Sequence, residues 1–392
     1  MQQFISARPQ YTFLKPLRRA GISLCMSFLL AGCASSGDGT IGYYWQSFRG
    51  HMDLMSAARP VQDWIDDASL QPALRERLQL AQRARRFAID ELGLPDNASY
   101  RRYARLARNA AVWNVVGAPP YSLQLHTWCF MVTGCIGYRG YFAEADAQAE
   151  AARLAQTGLE TSVYPVPAYS TLGYSNWLGG DPLLSTFVGW PEGDFVRLLF
   201  HELAHQVVYA ENDTAFNESY ATAVERLGVA KWLAEQSTPK AQAEFAASEK
   251  RRAEFRTLTR NARTELEQVY QLGNATTEQG RAQLEANKQR AMQNFRDAYA
   301  QQRARWQSED QVTPAQLTNL DQWVQAANNA SFGAQGAYDD LVPAFTALFK
   351  QQGSDWQRFH EAVKALAAQP KEKRHAALRT LMQEKKEEPK TQ

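Results

Sequence analysis

Asp194-Phe-Val-Arg-Leu-Leu-Phe-His-Glu-Leu-Ala-His-Gln-Val-Val-Tyr209 is the stretch on which the reading of this chain turns. Its apolar content predicts a buried helix. Inside it lies the pentad His201-Glu202-Leu203-Ala204-His205. His201 and His205 stand at i and i+4, about 40° apart around the axis, so both imidazoles can meet one ion. Glu202 points about 100° from His201, beside such an ion rather than on it, where it can take a proton from water. With six His in 392 residues, chance predicts roughly 0.006 such pentads. Two histidines on a buried helix would otherwise each need a separate hydrogen-bond partner. The pattern points to a metal-dependent hydrolytic site.

A hydrolytic zinc takes three protein ligands and keeps one position open. The next segment, Asp213-Thr-Ala-Phe-Asn-Glu-Ser-Tyr-Ala-Thr-Ala-Val-Glu225, offers the third. Asp213 or Thr214 can cap a helix on which Glu218 and Glu225 share a face at i, i+7. Those two lie about 10.5 Å apart along the axis, too far to serve one ion together. Asn217-Glu218-Ser-Tyr-Ala resembles the Asn-Glu-x-aromatic-Ala signature that supplies the glutamate ligand in gluzincin aminopeptidases. By that resemblance Glu218 is the ligand. The interval of 12 residues after His205 is shorter than is usual there. Glu225, at an interval of 19, is the alternative ligand or an outer carboxylate supporting one.

Around this centre the composition is ordinary for a globular protein, 45% apolar and 21% charged. Lys+Arg 43 against Asp+Glu 41 gives a net +2, without the basic excess that nucleic-acid binding requires. The N-terminus reads as an address. Arg8, Lys15, Arg18 and Arg19 precede the apolar run Ala20–Ala31, too short to span the ~30 Å hydrocarbon core. Leu30-Ala31-Gly32-Cys33 resembles the lipobox of bacterial lipoproteins, which implies that Cys33 is lipidated and becomes the first mature residue. Loss of residues 1–32 removes four cations and no anion, turning +2 into −2. Ala34 after the cysteine implies, by the same resemblance, the outer membrane of a Gram-negative envelope. Cys129 and Cys135 then remain as an even pair in an oxidising compartment, where a disulfide is expected.

The rest of the chain reads as helices around a small mixed region. Apolar residues recur at helical spacing from Leu78 to Leu92, stopped by Gly93 and Pro95. Residues 111–116 predict a strand, 143–157 a helix, and 161–170 an edge strand, since Pro165 and Pro167 lack ladder donors. Residues 238–310, rich in Ala, Glu, Gln and Arg and broken at Leu272–Thr276, predict a long helical hairpin. The expected fold is α+β and predominantly helical: a zincin-like core with a small mixed or antiparallel sheet and that hairpin. The organisation read from the sequence is 1–32 signal, 33–41 tether, 42–110 helical region, 111–236 catalytic core, 237–310 hairpin, 311–370 helical region and 371–392 flexible tail.

Asp181-Pro-Leu-Leu-Ser185, His201-Glu-Leu-Ala-His-Gln206 and Asp213–Ser219, with Leu94–Tyr103 and Trp128–Tyr141, together resemble the zinc aminopeptidase family of bacterial envelope lipoproteins. The likeness covers most of 42–366 and implies a peptidase with one zinc per chain, a peptide substrate and a periplasm-facing lipid anchor. The expected roles are His201, His205 and Glu218 on the ion and Glu202 as general base. Tyr169, Tyr174, Tyr220 and Tyr338 are candidates to donate to the oxyanion. Two other readings share these residues: a scaffold lipoprotein with a structural zinc, binding a protein partner through the hairpin, and a zinc amidase of peptidoglycan peptides.

Overall fold

Thirteen helices and three small sheets make up the described residues, 40–130, 134–171 and 179–387 of the computed structural model. The side chains of 40–41, 337–339 and 384–387 also lie outside the description. In chain order the elements are α1 (Thr40–Ala57), β1 (Arg59–Pro60), α2 (Val61–Asp66), α3 (Pro72–Leu92), β2 (Arg102–Ala104) and β3 (Val112–Ala118). Then come β4 (Trp128–Phe130), β5 (Gly134–Ile136), β6 (Arg139–Tyr141), α4 (Glu144–Gln156), β7 (Glu160–Val166) and β8 (Leu183–Leu184). The remainder is helical: α5 (Glu192–Ala204), α6 (Thr214–Gln236), α7 (Pro239–Leu272), α8 (Glu278–Ser308) and α9 (Pro314–Ala326). It closes with α10 (Asn329–Asp339), α11 (Val342–Gln351), α12 (Trp356–Ala367) and α13 (Lys371–Glu387). Two compact units divide the chain at Arg49 and Gly50, and the fold and metal centre described below belong to the second. The fold is α+β and predominantly helical, as the sequence predicts.

Local signals place the elements. Pro72 opens α3, its buried residues keep the helical period from Leu78 to Leu92, and Gly93 ends it at φ 62° with its N–H on the Ala88 carbonyl. The strand β3 is buried along its whole length and lies between β6 and β7, antiparallel to both. Its two faces are covered differently. Gly117 lies over Leu154 of α4, while Val116 and Ala118 meet Ala330 of α10. The strand β7 is an edge, as Pro165 requires. The region 42–110 is not wholly helical: β2 pairs with β1 and, in parallel, with β8. Strands of two or three residues carry no readable periodicity, which is why the sequence did not reveal them.

The central core gathers on the pair α5 and α6. Phe195, Leu199, Phe200 and Leu203 of α5 and Phe216, Tyr220, Ala221 and Val224 of α6 are completely buried. The helices α10 and α11 also pack on α6, and residues 216–225 of it are buried without a break. The hairpin α7/α8, capped by Thr238 and Thr277, has a core of its own, with Phe255, Leu266, Phe295 and Trp306 set against Leu317 and Phe332.

The segment after 370, expected to fray, is corrected by the structure. Lys371–Glu387 folds as α13, with Leu378 fully buried. Arg374 Nε reaches buried Asp213 Oδ2 at 2.8 Å, and His375 Nε2 reaches the same oxygen at 2.8 Å. Long-range apolar packing and ion pairing together hold this helix. Among the described residues no helix is long and apolar enough to cross a membrane.

Candidate metal centre

The histidine helix is shorter than predicted. It ends at Ala204, and His205 is its C-cap. The chain then turns through residues 206–213, where Asn217 bonds both polar groups of Ala210: its Oδ1 accepts from the N–H at 2.7 Å and its Nδ2 donates to the carbonyl at 2.8 Å. Asp213 caps α6 by accepting from the Phe216 N–H at 3.3 Å. This tight return brings the second turn of α6 against the last turn of α5, so a 12-residue interval suffices.

Three ligand atoms converge there. His201 Nε2 and His205 Nε2 are 3.1 Å apart, and Glu218 Oε2 lies 3.3 Å from the first and 3.5 Å from the second. All three residues are buried. They form a group able to hold a metal ion. Behind them, Glu225 Oε2 sits 2.9 Å from His201 Nδ1 and Arg197 Nε lies 3.7 Å from Glu225 Oε1. Glu225 is therefore on the far nitrogen of a ligand and not in the cage. A carboxylate in that place fixes the tautomer that leaves Nε2 free for an ion.

The charges agree with a cation site. Burial opposes protonation of His201, but hydrogen bonds to Glu218 and Glu225 outweigh it and lift the imidazole to about 10. Burial would raise Glu218, yet His205 and His201 hold it at about 2. Glu202 differs from both. Burial pushes its carboxyl up, the two imidazoles pull it down, and Glu218 and Asp181 push it up again, leaving it above the ordinary carboxylate range. A carboxyl raised in this way suits a group that takes and returns a proton.

The model of a family described as "Putative aminopeptidase" matches residues 42–378. The chain belongs to this family. No curated protein and no solved structure matches it.

Around the centre of this aminopeptidase-family chain, the other motifs find structural uses. Asp181 is fully buried and accepts from Thr171 N–H at 2.9 Å and Thr171 Oγ1 at 2.7 Å, while its own carbonyl accepts from Tyr100 N–H. Gly180, at φ 68°, lies so close to Ala98 and Ser99 that any Cβ would collide with their backbone. Gln206 ties this loop to the histidine turn, donating to Ser99 Oγ at 3.2 Å and accepting from Asn97 Nδ2 at 2.6 Å. Cys129 and Cys135 form a disulfide across the β4–β5 pair.

The four candidate oxyanion tyrosines fare differently. Tyr220 Oη is 2.8 Å from His360 Nδ1, and two residues from Glu218 on a helix is about 200° of rotation, so it faces the core and away from the cage. Tyr169 packs between His51 and Phe142. Tyr174, the side chain of Tyr338 and Cys33 lie outside the described residues. Glu192 accepts from Trp232 Nε1 and Ser237 Oγ, both at 2.8 Å. The sequence reading missed Asn114, whose buried amide lies 3.5 Å from Tyr164 Oη. A polar residue inside Val112-Trp-Asn-Val-Val116 was the available signal, since a buried strand rarely keeps an amide without use.

Proposed function

We propose that this chain is a zinc-dependent peptidase, an aminopeptidase lipid-anchored in a Gram-negative envelope. The observation that carries the reading is the triangle of His201, His205 and Glu218 with the Glu202 carboxyl beside it. Four-coordinate zinc with bonds of 2.0–2.1 Å separates its ligand atoms by about 3.3 Å. The triangle's sides of 3.1, 3.3 and 3.5 Å bracket that value. Two neutral imidazoles and one carboxylate are also the donor set of hydrolytic zinc, and three protein ligands leave the fourth corner free.

Zinc held there supplies Lewis-acid polarisation of the scissile carbonyl and lowers the pKa of water from 15.7 toward about 7. The residues do the rest. Glu202 accepts the proton of the attacking water and returns it to the leaving amine as the C–N bond breaks. Glu225 orients His201, and Arg197 holds Glu225 ionised. The edge strand β7 offers a backbone on which an extended peptide can lie, with Asn328 Nδ2 already on the Thr161 carbonyl at its start. The Cys129–Cys135 disulfide and the lipobox-like Leu30–Cys33 both support an oxidising, membrane-attached setting.

Metal analysis of purified protein, combined with cleavage of amino-terminal chromogenic amides, tests the reading. One zinc per chain and metal-dependent release of the chromophore are expected. Absence of stoichiometric metal, or no hydrolysis across peptide and muropeptide substrates once zinc is bound, would overturn it. Cys33→Ser should move the protein from the membrane to the soluble periplasmic fraction.

A further inference from the structure

In the first unit the described residues are 40–49, the opening of α1. Their sequence, Thr-Ile-Gly-Tyr-Tyr-Trp-Gln-Ser-Phe-Arg, carries one cation, no anion and four aromatic rings. Trp45 is 65% exposed and Phe48 57%. Every other Trp and Phe among the described residues is buried or half-buried. The two rings meet, with centroids 6.1 Å apart, as side chains three residues apart on a helix do. Tyr44, four residues before Phe48, shares that side, and the three fall within about 100° of the helix circumference. A lone exposed ring needs no explanation, but contiguous ones mark an interaction surface.

Reach and size together select the partner. The lipobox-like Cys33 precedes Thr40 by seven residues. Seven residues span at most about 25 Å, and Trp45 lies about 8 Å further along the helix axis. Acyl chains on Cys33 therefore hold these rings within about 35 Å of a bilayer, where a short tether gives an effective concentration in the millimolar range. A weak interfacial affinity is then enough. The face is too small for a stable protein complex. Two aromatic side chains offer at most about 500 Å², short of the ~800 Å² per partner that such a complex buries. Trp and Tyr rings, by contrast, settle readily at the depth of lipid headgroups. Among the described residues no helix is long and apolar enough to cross a membrane, which leaves α1 a position along the interface.

We propose that the Trp45–Phe48 face of α1 docks on the phospholipid surface beside the Cys33 anchor, with both rings at headgroup depth. The acyl chains retain the protein at the membrane, and the rings lay the start of α1 along it. Residues 40–49 contain no Asp or Glu, so anionic headgroups do not repel the face. Untethered, the same rings bind too weakly to keep the Cys33→Ser chain out of the soluble fraction. The inference rests on the lipid-anchored reading above and is independent of the peptidase chemistry.

The test uses the mature lipidated protein in vesicles of phosphatidylethanolamine and phosphatidylglycerol with brominated acyl chains. Bromine should quench the wild-type tryptophan emission, and Trp45→Ser should remove that quenching with acylation and melting temperature unchanged. In the mature Cys33→Ser chain, Trp45→Ser and Phe48→Ser should each weaken sedimentation with vesicles about tenfold, the worth of roughly 60 Å² of apolar surface returned to water. An acylated wild type left unquenched, or quenched no more than Trp45→Ser, overturns the assignment. So does vesicle binding that neither substitution weakens. A concentration-dependent dimer of the Cys33→Ser chain that Trp45→Ser dissolves gives the face to a second copy and overturns it too. Absence of acyl chains from the wild type by mass spectrometry sinks the anchored reading itself, and this inference with it.

Discussion

The helix pair α5/α6 and the hairpin α7/α8 are both antiparallel neighbours built mainly of helix, yet they treat polar groups in opposite ways. In the hairpin the polar side chains meet complementary partners in pairs: Trp306 Nε1 donates to Glu254 Oε2 at 2.6 Å, and Tyr299 Oη and Arg303 both donate to Asp321 of α9. Nothing further is needed to satisfy them. In α5/α6, two imidazoles and a carboxylate are buried facing one another, and only a proton or a metal ion can reconcile them. Burying such groups is costly unless they are compensated. The contrast separates a helical pair that is scaffold from one that is a site.

Glu202→Gln should break the comparison on its functional side most severely. Turnover is expected to fall about a thousandfold, within the range of general acid–base contributions, while zinc content stays at one per chain. Retained turnover would remove Glu202 from its role.

Next comes the metal. Because the metal-free cage holds His201 up at about 10 and Glu218 down at about 2, a cation has to displace a proton. Zinc affinity should therefore rise with pH, by about tenfold per unit for each proton released. Competition with a chelating dye at pH 6 and pH 8 measures it. Chelation should also lower the melting temperature, since an ion that binds only the folded state stabilises it.

Glu225→Gln sharpens the distinction between a ligand and its support. Zinc affinity or activity should fall by about 10–100-fold, the usual cost of losing such a partner, whereas Glu218→Gln should abolish tight binding. Equal losses in both variants would contradict the geometry.

On the stability side, Arg374→Ala leaves buried Asp213 with His375 as its remaining side-chain hydrogen-bond partner. A cost of about 3 kcal/mol is expected in denaturant unfolding, as for other broken buried pairs. The pH dependence has a definite sign. Burial would raise Asp213, but His375 and Lys371 hold its carboxyl below the ordinary value. Its contribution is therefore present above the unfolded pKa and is lost as pH falls through the folded one. Acid should unfold the wild type more steeply than His375→Ala, which removes the first of those partners. The smallest effect belongs to the hairpin tip. Leu272 is 89% exposed, so Leu272→Ser should leave turnover unchanged and stability within about 0.5 kcal/mol.

Much of the site was legible because it is local. His201, Glu202 and His205 are fixed by one helical period, and Asp213 capping α6 follows from residue type and position alone. Glu218 was reached through a signature, and the return at Ala210 explains why its short interval works. Strand β3, the edge character of β7, the hairpin and the disulfide pair were likewise readable from periodicity, proline positions and cysteine counting. The two-residue and three-residue strands were not, nor was the order of α13, whose apolar pattern is thin and whose anchors lie about 160 residues away in Asp213.

By itself, the sequence determined the chemical kit: two histidines and a glutamate one helical turn wide, a second helix bearing carboxylates, and a pair of cysteines. Local rules suffice for that, since helix period, capping and disulfide formation depend on near neighbours. Tertiary structure alone decided that Glu218 joins His201 and His205 while Glu225 stands behind His201, and that Tyr220 turns to the core. Those outcomes depend on how helices and strands pack across long stretches of chain, where burial and charge pairing choose among side chains that local rules leave equivalent.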